Sequence, residues 1–147
     1  MKRPQYDVIS IKELKQKGKQ IFQNRSEINL VYLFGSYAQG YQTKFSDIDL
    51  GIVLEENFKE PSLYFAQLSY EIEKLFNYRI SVDVRILNKR SPRFLFQVIK
   101  YGKILYCKNS NLKDEFELKV ITHYLDIKPL LNHFDNLFLR EVYGDES

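Results

Sequence analysis

Four short segments of the chain carry the residue pattern of β-strands. Residues 28–34 form a continuous apolar run that ends at Gly35, which is typical of a buried strand that leads into a tight turn. Residues 47–54 and 79–87 alternate apolar and polar side chains, and the short apolar run 103–107 predicts a fourth strand. The pattern therefore predicts a small sheet of four strands.

Segments with helical spacing of apolar residues separate these strands. Ser10 and Glu13 form a capping box before the first such segment, and a second helix is expected after Pro61. The pair Ser91-Pro92 is a typical helix start, and Gly102 can end that helix before the fourth strand. The alternation of the two patterns predicts an α/β fold in which helices flank the sheet.

The chain beyond Asn111 carries a long helical seam. We expect Pro129 to split this tail near Lys128 into two helical pieces, because proline lacks the amide proton and clashes with the preceding turn. The seam consists of Phe116, Val120, Tyr124, Ile127, Leu131, Phe134 and Phe138. Such bulky side chains could pack on their own domain or contact another chain. Residues 1–107 are expected to form the domain proper, and residues 108–147 a helical extension of the same compact unit.

Composition narrows the class of protein. The chain has 147 residues, of which 44% are hydrophobic and 28% charged, as expected for one compact domain. Its 22 Lys and Arg against 19 Asp and Glu leave a net charge of +3, too small to suggest a nucleic-acid-binding protein. Cys107 is the single cysteine, and no signal-like or bilayer-spanning apolar stretch occurs, so a cytoplasmic protein without membrane association is expected.

Three aspartates are expected on the polar faces of two strands. Side chains alternate along a strand, so Asp47 and Asp49 should point to the same side, and Asp83 lies on the polar face of segment 79–87. Aspartates in such positions are often only exposed strand residues. Carboxylates this close repel each other, however, and Mg²⁺ binds to one or two carboxylates together with water and phosphate oxygens. Three carboxylates on one face could hold two such ions for phosphoryl transfer.

The pair Gly35-Ser36 lies ten residues before Asp47. Gly35 ends the first strand, and Ser36 begins a predicted short helix that extends to Gln39. Its free backbone amides and the serine hydroxyl could face the phosphates of a nucleotide. Gly40 would allow the chain to leave the helix at positive φ.

The Gly-Ser pair, its spacing and the Asp-Ile-Asp triplet resemble the signature of the polymerase-beta nucleotidyltransferase superfamily. The wording GSYAQG followed by SDIDL is similar to the minimal nucleotidyltransferases, and residues 82–106 resemble the MntA antitoxins. The resemblance implies a polymerase-beta-type core with a small mixed sheet of about four strands, flanking helices and a C-terminal helical tail.

The resemblance also implies a function and the roles of individual residues. In this family three aspartates bind Mg²⁺, the Gly-Ser turn holds the triphosphate of ATP, and AMP passes to a tyrosine of a HEPN-domain ribonuclease toxin called HepT. Carried over to this chain, Gly35 and Ser36 would bind nucleotide phosphate, and Asp47 and Asp49 would bind both nucleotide and metal. Asp83 would bind metal and could accept the tyrosyl proton.

Two other functions remain open at this point. The same metal site could serve a transferase for a small molecule, although such enzymes usually add a sizeable acceptor-binding domain and only about forty residues follow Cys107 here. The chain could also be an inactive antitoxin that only binds and sequesters its toxin. The complete set of residues in the motif favours an active adenylyltransferase antitoxin.

Overall fold

The computed structural model describes residues 5–143 as an alternation of five helices and four strands. The elements in chain order are α1 (Ile11–Phe22), β1 (Ile28–Phe34), α2 (Gly35–Gln39), β2 (Ile48–Leu54), α3 (Tyr64–Leu75), β3 (Val82–Ile86), α4 (Pro92–Tyr101), β4 (Lys103–Cys107) and α5 (Ser110–Tyr143). This arrangement confirms the predicted α/β class. No helix within residues 5–143 is both long enough and apolar enough to cross a membrane.

The four strands form one mixed sheet in the order β3-β2-β1-β4. β1 pairs antiparallel with both β2 and β4, whereas β2 and β3 run parallel. The parallel pair is connected through α3, as a crossover between parallel strands requires. β3 therefore lies at one edge of the sheet and β4 at the other.

The two faces of the sheet are covered by different helices. On the α1/α3 face, apolar side chains of all four strands pack against α1, α2 and α3 in a continuous core. On the α4/α5 face, a smaller core forms between the sheet, α4 and the beginning of α5. The even-numbered residues of β2, such as Leu50, face the first core, and Val53 faces the second. The predicted alternation in β2 is thus confirmed.

Side-chain caps fix the starts of two helices as the sequence predicts. The Ser10 hydroxyl accepts a hydrogen bond from the Glu13 amide at 3.1 Å, and the Ser91 hydroxyl accepts one from the Phe94 amide at 3.3 Å. Pro92 occupies the first turn of α4, where its missing N–H removes no helical bond. These caps set where α1 and α4 begin against the sheet.

The tail forms one helix, so the predicted break near Lys128 is wrong. α5 runs for 34 residues from Ser110 to Tyr143 with Pro129 inside it. Proline removes the hydrogen bond that its amide would donate to the carbonyl of Leu125. Leu125 lies on an exposed part of α5, with 56% of the residue accessible, and the helix continues past the proline.

The first half of α5 is attached to the sheet and to α4. The Tyr32 hydroxyl in β1 donates a hydrogen bond of 2.8 Å to Glu117 Oε1, and the rings of Phe96 and Tyr124 stack with centroids 4.1 Å apart. Val120 is the last buried residue of the helix. Beyond Pro129, apolar side chains are largely exposed; they are Leu130, Phe134, Leu137, Phe138, Leu139, Val142 and Tyr143. We call residues 130–143 the distal tail.

Candidate active site

A row of paired residues crosses three strands at one end of the α4/α5 face. Phe34, the last residue of β1, is opposite Asp49 of β2, and Asp49 is opposite Asp83 of the parallel strand β3. Asp47 lies one residue before β2 and is exposed. The sheet register therefore places Asp49 and Asp83 side by side, as the strand pattern predicts, with Asp47 at the entrance of β2.

Gly35 connects this row to the short helix α2 and must be a glycine for two reasons. Its φ of +71° lies in a region that L-residues with a side chain rarely adopt. In addition, a Cβ atom at this position would lie 2.2 Å from Asp49 Oδ2. The backbone of the Gly-Ser turn thus lies directly against the Asp49 carboxylate, and Ser36 follows in the first turn of α2.

Gly40 ends α2 as the sequence predicts, with φ of +82°. The amides of Gly40 and Tyr41 both donate to the Ser36 carbonyl, at 2.9 and 3.1 Å. Loop 41–47 then returns the chain to β2. These bonds close the single turn of α2 and end the helix at Gly40.

The carboxylates of the site repel one another. Burial of the half-buried Asp49, together with the negative charges of Asp83 and Asp47 and against the opposing charge of Arg85, raises its pKa to about 6. A carboxyl group with this pKa is partly protonated at slightly acidic pH. The negative charges of Asp83 and Asp47 disfavour the ionised form of Asp49. The same charges would attract a cation to this site.

The donor set suits a hard divalent cation. Asp47, Asp49 and Asp83 offer only carboxylate oxygens, the ligand type that Mg²⁺ prefers, and two of them are in cross-strand register. Their present side-chain positions do not form a finished cage, since no three acidic, histidine or cysteine side chains of residues 5–143 are grouped around a common point. Asp83 Oδ2 instead accepts a hydrogen bond from Arg85 Nε at 3.3 Å.

A groove of about 850 Å³ runs along the edge strand β3 and includes the Asp83 side of the site. One wall is β3 itself, and the other is the loop between β2 and α3. Its lining includes Phe58, Lys59, Phe65, Asp83, Arg85 and Lys89. The groove is large enough for a side chain of another molecule to reach the Asp83 carboxylate.

All five residues of the predicted motif lie at this end of the sheet; they are Gly35, Ser36, Asp47, Asp49 and Asp83. The two tyrosines nearest to the motif in sequence differ in exposure. Tyr37, on α2, is only 2% exposed and belongs to the α1/α3 core, so its ring is not available for stacking on a base. Tyr41 is 62% exposed in the loop after α2.

The sequence did not indicate how Arg85 is held. Alternation places Arg85 on the same face as Asp83, where it could balance phosphate charge or be an ordinary solvated strand residue, and the pattern slightly favours the second. The structure places its guanidinium carbon 6.0 Å from the ring centroid of Phe34 and 5.8 Å from that of Phe94. Phe34 and Phe94 come from different elements, so only the long-range register could reveal this contact.

A Gly-Ser turn against paired strand carboxylates on a mixed sheet is the arrangement that the motif resemblance implies for a nucleotidyltransferase. Residues 16–111 match the family described as polymerase beta, nucleotidyltransferase, and the chain belongs to this family. The match includes β1 to β4 and every residue of the site described above.

Several known proteins are similar to the chain, among them the following two relatives. A protein of Methanocaldococcus jannaschii, named as a candidate protein adenylyltransferase, is 33% identical over 81 residues, which are 55% of this chain and 77% of the relative. The protein adenylyltransferase MntA of Shewanella oneidensis is 30% identical over 104 residues, 69% of each chain.

The solved structures show the same fold over nearly the whole of their length. One, a toxin-antitoxin complex with AMP-PNP, has a TM-score of 0.69 at 24% identity and aligns over 84% of this chain and 98% of the other. Another contains a tri-AMPylated HEPN toxin of Shewanella oneidensis in complex with its MNT antitoxin. It has a TM-score of 0.65 at 21% identity, over 87% and 98% of the two chains. These relatives confirm the resemblance to the MntA antitoxins.

Proposed function

We propose that this protein is a Mg²⁺-dependent protein adenylyltransferase that transfers AMP from ATP to a tyrosine of a HEPN-domain toxin and so neutralises it. The observation that carries the proposal is the row of Asp49 and Asp83 directly beside the Gly35-Ser36 turn. Relatives named as protein adenylyltransferases, and a relative solved with an AMPylated HEPN toxin, support the choice of nucleotide and acceptor. Since ATP is the substrate, we expect the reaction to take place in the cytoplasm.

In this proposal the site combines phosphate ligands with metal ligands. Ser36 and the backbone at Gly35 bind the phosphates of ATP, and Asp47, Asp49 and Asp83 would hold Mg²⁺, of which two ions are expected. Asp47 and Asp49 would also bind the nucleotide. When bound, Mg²⁺ neutralises the charge that develops on the phosphate oxygens. Asp83 accepts the proton of the tyrosyl hydroxyl as its oxygen attacks the α-phosphorus, and pyrophosphate leaves with the electron pair of the broken bond.

The position of Asp83 suits an acceptor that belongs to another protein. β3 is an edge strand, and the Asp83 side chain is 45% exposed. The groove along β3 is lined by Asp83 and is open to the surface, which suits a tyrosine on a protruding segment of another protein. A fully enclosed acceptor pocket would instead have favoured a small molecule.

Labelled ATP tests the proposed reaction directly. The full chain is incubated with its HEPN-domain toxin, Mg²⁺ and ATP labelled at either the α or the γ phosphate. We expect label on the toxin only from the α position, on tyrosine, with release of pyrophosphate. Transfer of label from the γ position would identify a kinase. A toxin that stays unlabelled with both forms of ATP would identify an antitoxin that only sequesters its toxin.

The distal tail is the surface that we propose for binding the toxin. Leu130, Phe134, Leu137 and Phe138 follow the i, i+4, i+7, i+8 spacing that places them on one helix face. Phe134 is 58% exposed and Phe138 63%, although aromatic side chains are usually buried. The relatives solved with toxins support a toxin as the partner, and the exposed apolar side chains are the reason for choosing this face.

A double substitution separates this surface from the catalytic site. Phe134→Asp with Phe138→Asp should abolish co-purification with the toxin, because two carboxylates on this face prevent apolar contact. The melting temperature and ATP binding should stay close to those of the wild type, since both rings are already solvated. The matched control is Leu118→Asp with Leu125→Asp, at positions of the same helix that are 67% and 56% exposed. If the control alone disrupts the complex, the toxin binds elsewhere.

A further inference from the structure

The Arg85 guanidinium is held in place by contacts on two sides. Its Nε donates to Asp83 Oδ2 at 3.3 Å, and its planar group lies near the rings of Phe34 and Phe94. These two rings contact each other edge to face, with centroids 5.7 Å apart and an interplanar angle of 89°. An arginine that only extended into solvent would have none of these contacts, so Arg85 is a built part of the site.

The position of Arg85 follows from the sheet register. Arg85 lies two residues after Asp83 on β3 and therefore on the same face of the strand. Its cross-strand partner on β2 is Gly51, which has no side chain. The Leu87 side chain fills the space beside Gly51, since a Cβ atom at Gly51 would lie 2.8 Å from Leu87 Cδ1. The Arg85 guanidinium is directed instead toward Asp83 and the aromatic pair.

The contact with Arg85 competes with the proposed use of Asp83. A cation shared by Asp49 and Asp83 needs the free oxygens of both carboxylates on the side where the two residues face each other. A charge-assisted hydrogen bond from a cationic donor occupies one Asp83 oxygen and neutralises part of its charge. The Asp83 carboxylate is therefore stabilised either by the Arg85 contact, when no cation is bound, or by the divalent cation itself.

We propose that Arg85 is a positioning residue that holds the Asp83 carboxylate while no divalent cation is bound, and that cation binding to Asp49 and Asp83 releases Arg85 from this contact. The proposal rests on the metal site of the proposed function. The released guanidinium remains beside Phe34 and Phe94 and faces the groove along β3, where it can meet the incoming acceptor. Arg85 thus stabilises the site before the cation arrives and moves when it binds.

The expected size of the competition follows from the exposure of the pair. The Arg85 and Asp83 side chains are 43% and 45% exposed, and pairs this exposed are worth at most about 1 kcal/mol. Loss of the Arg85 contact should therefore strengthen cation binding by roughly three- to fivefold.

Titration of the full chain with Mn²⁺, followed by electron paramagnetic resonance of the free ion, tests this competition. We expect Arg85→Gln to bind Mn²⁺ about three- to fivefold more tightly than the wild type. In the Asp83→Asn background the same substitution should change the affinity by less than twofold, because the contact with Asp83 is already lost and only the charge of Arg85 near Asp49 still acts. A similar gain in both backgrounds would show that Arg85 acts only through its general charge and would overturn the proposal.

Arg90 provides the matched control. It lines the same groove, but its Nε donates to the Ile86 carbonyl at 3.2 Å instead of to a carboxylate. Arg90→Gln removes the same charge and should change the Mn²⁺ affinity by less than twofold, in accord with screening at the surface. An effect equal to that of Arg85→Gln would also overturn the proposal. Melting temperatures verify that each variant is folded.

The resonance of the Arg85 Nε–H group gives a readout that a merely structural contact would not change. We expect it to shift on saturation with Mg²⁺ in the wild type and to be insensitive to Mg²⁺ in Asp83→Asn. An unchanged resonance in a wild-type chain that binds Mg²⁺ would overturn the release of Arg85 and leave the proposed function standing. Failure of the wild type to bind Mg²⁺ or Mn²⁺ would overturn the proposed metal site as well.

Discussion

The two faces of the sheet differ in how far their apolar packing extends. The α1/α3 face is apolar from one end of the sheet to the other and is closed by helices along its length. The α4/α5 face is apolar only in part and changes at the row of Phe34, Asp49 and Asp83 to carboxylates and an arginine. One face provides most of the buried core, and the other combines a smaller core with the site.

β2 shows how one strand serves both faces. Leu50 is fully buried on the α1/α3 face, whereas the adjacent Asp49 points to the site. Because side chains alternate along a strand, a core contact and a charged ligand can be consecutive in sequence. A substitution at Asp49 should therefore lower activity and keep stability, whereas a substitution at Leu50 should lower stability.

The largest expected effect is on activity, from Asp49→Asn or Asp47→Asn. Each change removes a charge that the proposed metal site needs while it keeps the size of the side chain. We expect transfer of AMP to fall on the order of a thousandfold, which corresponds to about 4 kcal/mol of transition-state stabilisation. For Asp49→Asn the melting temperature should stay the same or rise, because the repulsion between Asp49 and Asp83 is relieved.

The control for this prediction is Asp114→Asn, the same chemical change at an exposed position of α5. It should leave both transfer activity and melting temperature near the wild-type values. Near-native transfer by Asp49→Asn with a normal melting profile would contradict the proposed assignment of the site.

The second effect is on stability, from Leu50→Ala. Leu50 pairs with Leu33 and Val84 across the sheet and is fully buried. Removal of its side chain should lower the free energy of unfolding by about 2–5 kcal/mol, through lost burial and the remaining cavity. Denaturant unfolding measures this change, and Leu50→Ile should lower the free energy by less than about 1.5 kcal/mol. If Leu50→Ala were no less stable than Asp49→Asn, the assignment of the main core to this face would be wrong.

Several features of the fold could be predicted from the sequence because their signals are local. Alternation in residues 47–54, the capping serines Ser10 and Ser91 and the Gly40 end of α2 each depend on a few neighbouring residues, and the structure confirms them. The Gly-Ser turn and the three aspartates were found in the same way, through spacing and strand phase. Their roles in binding and catalysis remain predictions.

Features that depend on distant residues could not be predicted. The order β3-β2-β1-β4 and the close contact of Gly35 with Asp49 arise from strand pairing, which no local pattern specifies. The same is true of Arg85 between Phe34 and Phe94. Pro129 was interpreted from its intrinsic effect on a helix, but an exposed helix can solvate the one carbonyl that proline leaves unpaired.

The smallest expected effect is on the pH dependence of stability. It tests whether the charge of Asp49 distinguishes the α4/α5 face from the apolar α1/α3 face. Burial and the nearby Asp83 raise the pKa of Asp49 from 3.8 to about 6 in the folded protein. The folded state thus binds this proton more tightly than the unfolded chain, so the contribution of Asp49 to the free energy of unfolding should be highest below pH 3.8 and fall as the pH rises toward about 6. Because Asp49 is only half-buried, solvent screening should reduce the change to the order of 1 kcal/mol.

Urea unfolding of the wild type and Asp49→Asn between these pH values isolates the contribution, since only the wild type should show it. Mg²⁺ should restore stability to the wild type at pH 7, where Asp49 is ionised, and have little effect at pH 4.5. Identical pH profiles for the two proteins would mean that the carboxylate is solvated like any surface aspartate, and that the contrast between the two faces does not extend to its charge.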